Sequence, residues 1–172
     1  MEFEQVLQKR HSVRKFQKKE ISEETIQKIL QLANLSPSAG NLQARSVVIV
    51  KERAVKEKIS DIALGQTFIA QAPVVFVICA ETKESEIKYG EQGRKLYSIQ
   101  DATIFASYLQ LAATSYGLSS CWVGAFKENE LREILDLPAE TVPIAIIPVG
   151  VSDESPYITS RKSLEKLIKK KI

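Results

Sequence analysis

Ala102 to Gly117 reads ATIFASYLQLAATSYG, sixteen residues without a single charge. Ala102, Phe105, Ala106, Leu109, Ala112, Ala113 and Tyr116 recur at the period of one helical face, and Ile104, Tyr108 and Leu111 make the other side apolar too. At 1.5 Å per residue the helix is about 24 Å long, short for a bilayer, and Thr103, Ser107 and Gln110 interrupt its surface. A helix apolar on nearly every side must be covered on nearly every side. It lies either at the centre of its own domain or in the interface of a homodimer.

Upstream of this helix the chain alternates helix and strand signals. Residues 2–9 predict a helix, with Glu2 and Glu4 at its start and Lys9-Arg10 at its end, as the helix dipole favours. Ser22 predicts the N-cap of a second, with Glu23 and Glu24 in the first turn, a stripe of Ile26, Ile29, Leu30 and Ala33, and Pro37 barring continuation. Val47 to Val50 predicts a buried strand, residues 53–63 a helix, and Val74 to Cys79 a second buried strand; the stretch 81–100 is short and polar. Downstream, Cys121–Ala125 and Ile144–Val149 predict strands, and residues 127–136 and 161–170 helices. With no internal repeat and no low-complexity linker, residues 1–172 predict one α+β domain.

Composition agrees: of 172 residues 44% are apolar and 26% charged, which places the chain among globular proteins and excludes disorder and collagen-like repeats. No apolar run reaches the length of a membrane span and the opening MEFEQVLQKRHS lacks the apolar stretch of a signal peptide, so the expectation is a cytoplasmic protein. The formal charge of +3 is unevenly spread, with +3 on residues 1–20, +5 on residues 159–172 and −5 between them. Basic ends on an acidic body suit nucleic acid, an anionic ligand or helix-dipole decoration. Nucleic acid is the weakest, because the clusters are short and no aromatic-rich binding motif accompanies them. Cys79 and Cys121 are too far apart for a CxxC pair and sit in apolar runs, and His11 is the only histidine, so neither a metal site nor a histidine-based triad is expected.

Four segments can carry chemistry. Arg10-His11-Ser12-Val13-Arg14 offers two guanidiniums, an imidazole and a hydroxyl, donors suited to a phosphate; an extended backbone puts Arg10, Ser12 and Arg14 on one side. By itself it reads as a basic surface turn. Ser36-Pro37-Ser38-Ala39-Gly40-Asn41-Leu42-Gln43 joins a helix to a strand through small residues that let a planar ligand approach, while Asn41 and Gln43 match the mixed edge of a heterocycle. In GLSSCWVGAF, residues 117–126, a strand ending in Gly124-Ala125 leaves backbone open to a stacked ring, although a lone Trp is commonly core. Ser160-Arg161-Lys162 opens the last predicted helix, where cations oppose the dipole unless a bound anion compensates.

Together these segments resemble the nitroreductase family of FMN-dependent oxidoreductases. The resemblance runs from about residue 4 to 168 and lies in RHSVRKF, SPSAGNLQ, YGEQGRKLYSIQDA, GLSSCWVGAF, IAIIPVGVSDE and SRKSLEKL, in the family's order. It implies a layered α+β fold with a mixed central β-sheet flanked by helices, assembled as a homodimer with the apolar helix buried at the interface and two FMN sites. By the same comparison Arg10, His11, Ser12 and Arg14 fall on the phosphate- and ring-contacting motif, and Arg161 on a second phosphate-binding cation. Pro37, Ser38 and Asn41 match the loop that reaches the flavin from the partner subunit. Trp122, Val123, Gly124 and Ala125 match the segment lining the other side of the ring, and Gln66 the pyrimidine edge.

The implied activity is ping-pong hydride transfer from NADH or NADPH to a nitroaromatic, quinone or related acceptor. The flavin carries the chemistry, Arg14 steadies its reduced form, and no catalytic side chain or metal is required. Reductive dehalogenation, flavin cleavage and a non-catalytic flavin-binding module are the alternatives. Two departures stand out. Members commonly follow the loop's Asn-x-Gln with Pro-Trp, where this chain has Ala44-Arg45, and the lid region 81–100 looks reduced.

Overall fold

The computed structural model describes residues 1–157 and 159–172. In chain order it contains α1 (Phe3–Lys9), α2 (Glu23–Ala33), β1 (Arg45–Val50), α3 (Arg53–Ile62), α4 (Phe68–Gln71), β2 (Val74–Glu81), α5 (Thr82–Gln92), α6 (Ser98–Ser115), β3 (Ser119–Ser120), α7 (Glu128–Ile134), β4 (Thr141–Gly150) and α8 (Leu164–Leu167). A 3-10 turn at Ala39–Asn41 precedes β1 and a π-helical turn at Gly93–Tyr97 joins α5 to α6. The start of α2 follows from its sequence: Ser22 Oγ accepts the Thr25 N–H at 3.2 Å, and Glu23 and Glu24 occupy the first turn.

The four strands form one sheet in the order β1-β2-β4-β3. Strand β2 runs through its middle, and Val74 to Ala80 are each no more than 1% exposed. Because side chains alternate along a strand, this continuous apolar run feeds two layers. Val74, Phe76, Ile78 and Ala80 pack with α2 and α6 on one face. Val75, Val77 and Cys79 pack with α3, α4 and α7 on the other. The fold is thus a helix–sheet–helix sandwich, an α+β architecture.

α6 is the 18-residue helix that lies across the first face. Ala102, Phe105, Ala106, Leu109, Ala112 and Ala113 are buried against the sheet and α2, and the four alanines let the helix axis approach closely. The opposite side is open in this chain, with Ile99, Thr103, Ser107 and Tyr108 exposed. No helix among the described residues is long and apolar enough to cross a membrane.

Several expectations need correction. All named strand pairs are antiparallel; the parallel pairing of a mixed sheet is confined to an isolated bridge, Ser12 to Ser120. The strand expected at Cys121–Ala125 is instead Ser119–Ser120 followed by single contacts. Cys121 N–H still donates to Pro148 O at 3.3 Å, but Pro148 has no N–H to return the bond, so the ladder stops there. Pairing resumes at Val123, which exchanges two 2.9 Å hydrogen bonds with Ile146. The last helix shrinks from 161–170 to the exposed turn Leu164–Leu167, because none of its residues is buried to support it. Conversely, 81–100 is almost wholly helical. Gly90 kinks it at φ 57° and ψ −146°, a conformation open essentially to glycine alone. Gly93 lets the turn pack on α5, since a Cβ there would stand 2.3 Å from Ser85 O.

Candidate functional site

Val13 and Phe16 are buried, and they fix how the N-terminal basic segment leaves α1. Val13 N–H donates to Ser120 O at 3.0 Å, Asp153 N–H to Lys15 O at 2.9 Å, and Arg14 N–H to Glu154 Oε1 at 2.7 Å. With Val13 anchored inward between them, Ser12 and Arg14 are exposed. Burial pushes the pKa of the Cys121 thiol up, against the smaller lowering influence of Arg14, Ser12 and Arg10. This leaves Cys121 protonated and no nucleophile.

Beside this segment opens a cavity of about 690 Å³. Lys9, Arg10 and His11 form one wall, Thr114, Gly117, Leu118 and Ser119 at the C-terminal end of α6 another, and Pro156, Tyr157, Thr159 and Arg161 a third. His11 Nδ1–H donates to Lys9 O at 2.8 Å, which makes Nε2 an acceptor in the neutral ring, and Nε2 is buried with no partner among the described residues. Arg161 Nη1 donates to Thr159 O at 3.0 Å and Ser160 O at 3.2 Å, holding the guanidinium, and its other nitrogens have no partner among the described residues. Arg161 is not at a helix N-terminus: the turn of α8 starts three residues later, so its placement owes nothing to the dipole. Arginine cations, an imidazole acceptor and an apolar wall with Leu7 and Leu118 suit a ligand that joins a phosphate to a flat, partly apolar body.

The segment after Cys121 is only partly available. Trp122 is half-buried and packs against the sheet, and Val123 is 3% exposed with its side chain in the core, so Val123 can offer backbone only. Gly124 and Ala125 are exposed, and a Cβ on Gly124 would stand 3.3 Å from Trp122 Nε1. Gln66 belongs with them, its Nε2 donating to Ala63 O at 2.8 Å and Ala125 O at 3.5 Å.

Pro37, Ser38 and Asn41 lie elsewhere. Their loop sits at the N-terminal end of α6, where Ala39 N–H donates to Asp101 Oδ1 at 2.8 Å. Asp101 and Thr114 are about 20 Å apart along the helix axis at 1.5 Å per residue, so one chain does not bring this loop to the cavity of Arg10 and Arg161. Reading motifs also passed over Glu154, Thr114, Tyr157 and Thr159. Glu154 stood within the quoted IAIIPVGVSDE, but only its bond to Arg14 reveals a role.

A sequence model described as the Nitroreductase family matches residues 7–70 and 63–151. The NADH dehydrogenase of Thermus thermophilus is 28% identical over 187 residues, covering 93% of this chain and 91% of its own. The FMN-dependent nitroreductase of Clostridium difficile R20291 is 30% identical, with a TM-score of 0.78 over 90% of each chain. A nitroreductase family protein of Streptococcus pneumoniae TIGR4 superposes with a TM-score of 0.90 over 99% of this chain and 100% of its own, at 23% identity, and speaks for the fold.

Proposed function

The chain belongs to the nitroreductase family, and from that membership we propose that it is an FMN-dependent oxidoreductase drawing electrons from NADH or NADPH. The single observation that carries this reading is the meeting of Arg10, His11 and Arg161, from opposite ends of the sequence, around one cavity. The donor set fits the cofactor: two guanidiniums for its phosphate, and His11 Nε2 for a hydroxyl or ring donor. When bound, FMN supplies two-electron transfer, which takes a hydride from the nicotinamide and passes it, in a ping-pong sequence, to a nitroaromatic, quinone or similar acceptor.

This chain's own groups bind and orient. Arg10 and Arg161 neutralise the phosphate, with Ser12 as a further donor. Arg14, its backbone pinned by Glu154, presents a guanidinium to the negative charge that two-electron reduction adds. Gly124 and Ala125, small and exposed, leave one approach open, with Gln66 beside them. No general acid is assigned, and solvent supplies the proton. Residues 1–172 serve as one FMN-binding domain.

The distant loop implies a homodimer in which each cavity is completed by Pro37, Ser38 and Asn41 of a second copy; the open face of α6 supports this. The decisive measurement is the absorbance spectrum of the purified chain. Oxidised-flavin bands that bleach under NADH or NADPH, and return with a quinone, are expected. A colourless protein that cannot be reconstituted with FMN would sink the reading. In the Arg10→Ala/Arg161→Ala double variant FMN affinity should fall at least about 100-fold, since each charge-assisted contact contributes roughly 1.5–3 kcal/mol. Tight retention would place the phosphate elsewhere.

A further inference from the structure

The loop of Pro37, Ser38 and Asn41 is held by two charged groups that the proposed chemistry does not use. Gly40, Asn41 and Gln43 have φ of 56°, 56° and 54°. L side chains keep that left-handed backbone only where surrounding contacts over-determine it. Part of the restraint is internal, with Gln43 N–H donating to Ser38 Oγ at 3.0 Å. The rest comes from two other elements.

Asp101, 2% exposed in the first turn of α6, accepts the Ala39 N–H on Oδ1 at 2.8 Å. Arg45, the first residue of β1, donates from Nη2 to Asn34 O and Ser36 O, each at 3.2 Å, at the point where the chain leaves α2. Its guanidinium carbon lies 5.5 Å from the centre of the Phe105 ring. Phe105 follows Asp101 by one helical turn, so carboxylate and guanidinium meet the same face of α6. Arg45 is also pushed down by desolvation, and the Asp101 charge opposes that shift. Asp101 Oδ2, Arg45 Nε, Arg45 Nη1 and Ser36 Oγ are buried and have no partner among the described residues. Two opposite charges and a hydroxyl are therefore gathered beneath one strained loop. Arg45 also stands where the family commonly carries Trp, so the loop's exit is held here by a cation in place of an indole.

We propose that Asp101 and Arg45 are positioning residues that clamp loop 37–43 in its left-handed form and thereby set how tightly it holds FMN in the cavity of the second copy. The proposal rests on the FMN reading. Asp101 fixes the loop's first turn through the Ala39 N–H, and Arg45 fixes the backbone entering it. Neither side chain needs to touch the cofactor.

The test uses the full chain with Asp101→Ala, Asp101→Asn and Arg45→Met, read by amide hydrogen exchange of residues 39–43 and by FMN titration of the apoprotein. Asparagine keeps a carbonyl acceptor for Ala39, and methionine keeps a stem to pack on Phe105. In Asp101→Ala, exchange of these amides should quicken and the FMN Kd rise, each about 10-fold or more, the size expected for losing a charge-assisted hydrogen bond. Asp101→Asn should stay within about 3-fold of the parent in both. Arg45→Met should also raise the Kd.

Unchanged exchange in Asp101→Ala would overturn the clamp. So would faster exchange with an unaltered Kd, or a lowered melting midpoint with neither changed, which is the mark of a merely structural role. If Asp101→Ala does not fold, Arg45→Met decides: quicker exchange of residues 39–43 with a raised Kd supports the clamp, and parent-like values of both overturn it. A parent protein that binds no FMN would instead refute the functional reading, while the exchange arm still tests the clamp.

Discussion

Cys79 illustrates how position within the sheet sets the chemistry of a single residue. Its thiol is buried in the α3/α7 layer; desolvation first, and then the Glu81 carboxylate, push its pKa up to about 12. An unfolded cysteine titrates near 8.5, so between about 8.5 and 12 the folded chain retains a proton that the unfolded chain has released. Bound protons are then more numerous in the folded state, and stability must fall as pH rises, by about 1.4 kcal/mol per unit at most. Denaturant unfolding at pH 8 and pH 10 should show this loss, and Cys79→Ala should flatten the slope even though its absolute stability is lower. Cys121 is shifted the same way, so neither thiol should react with a thiol reagent at pH 8 in the native protein. The sequence foretold this much, because each cysteine lies in an apolar run. The clamp of Asp101 and Arg45 was not legible, since nothing local in SIQDA or QARSV says that a carboxylate and a guanidinium will meet the same helix face.

Among the elements, those with a clean period were readable and those held by neighbours were not. α2 shows its cap, its acidic first turn and its apolar stripe in sequence, and it forms where these place it. α6 shows its burial equally well. Ala106 is 0% exposed where α6 meets the sheet, so Ala106→Leu should overpack that contact and cost about 1–3 kcal/mol, measurable as a lower denaturation midpoint with little change in secondary structure. α5 was unreadable because its polar composition has little amphipathic pattern, and its place depends on glycines at 90 and 93. β3 was misplaced for a reason on another strand. The run after Ser120 is β-prone, but its ladder depends on what Pro148 can donate, and Pro148 donates nothing.

At the scale of the whole molecule, the two halves of the candidate site lie at opposite ends of α6, and this geometry makes a sharp prediction. A chain with Arg10→Ala/Arg161→Ala and a chain carrying Asp101→Ala with Asn41→Ala should each bind FMN poorly as pure dimers. Hybrid dimers of the two should regain one intact site of two, because the unaltered arginines of one copy meet the unaltered loop of the other. Flavin content after co-expression and separation by differential tags is the measurement. No recovery in the hybrids would mean that each chain builds its site alone.

The sequence by itself determined the order of the motifs, the long apolar helix and the strand pair that forms the core. These are properties of short segments, where side-chain type and period act over a few residues. Only the tertiary structure decided that Arg10 and Arg161 share a cavity, that Val123 turns into the core, that the sheet is antiparallel throughout its named strands, and that loop 36–43 stands a helix length from the arginines. Each of these depends on contacts between residues far apart in the chain. They are set when the elements pack together, and no local pattern encodes them.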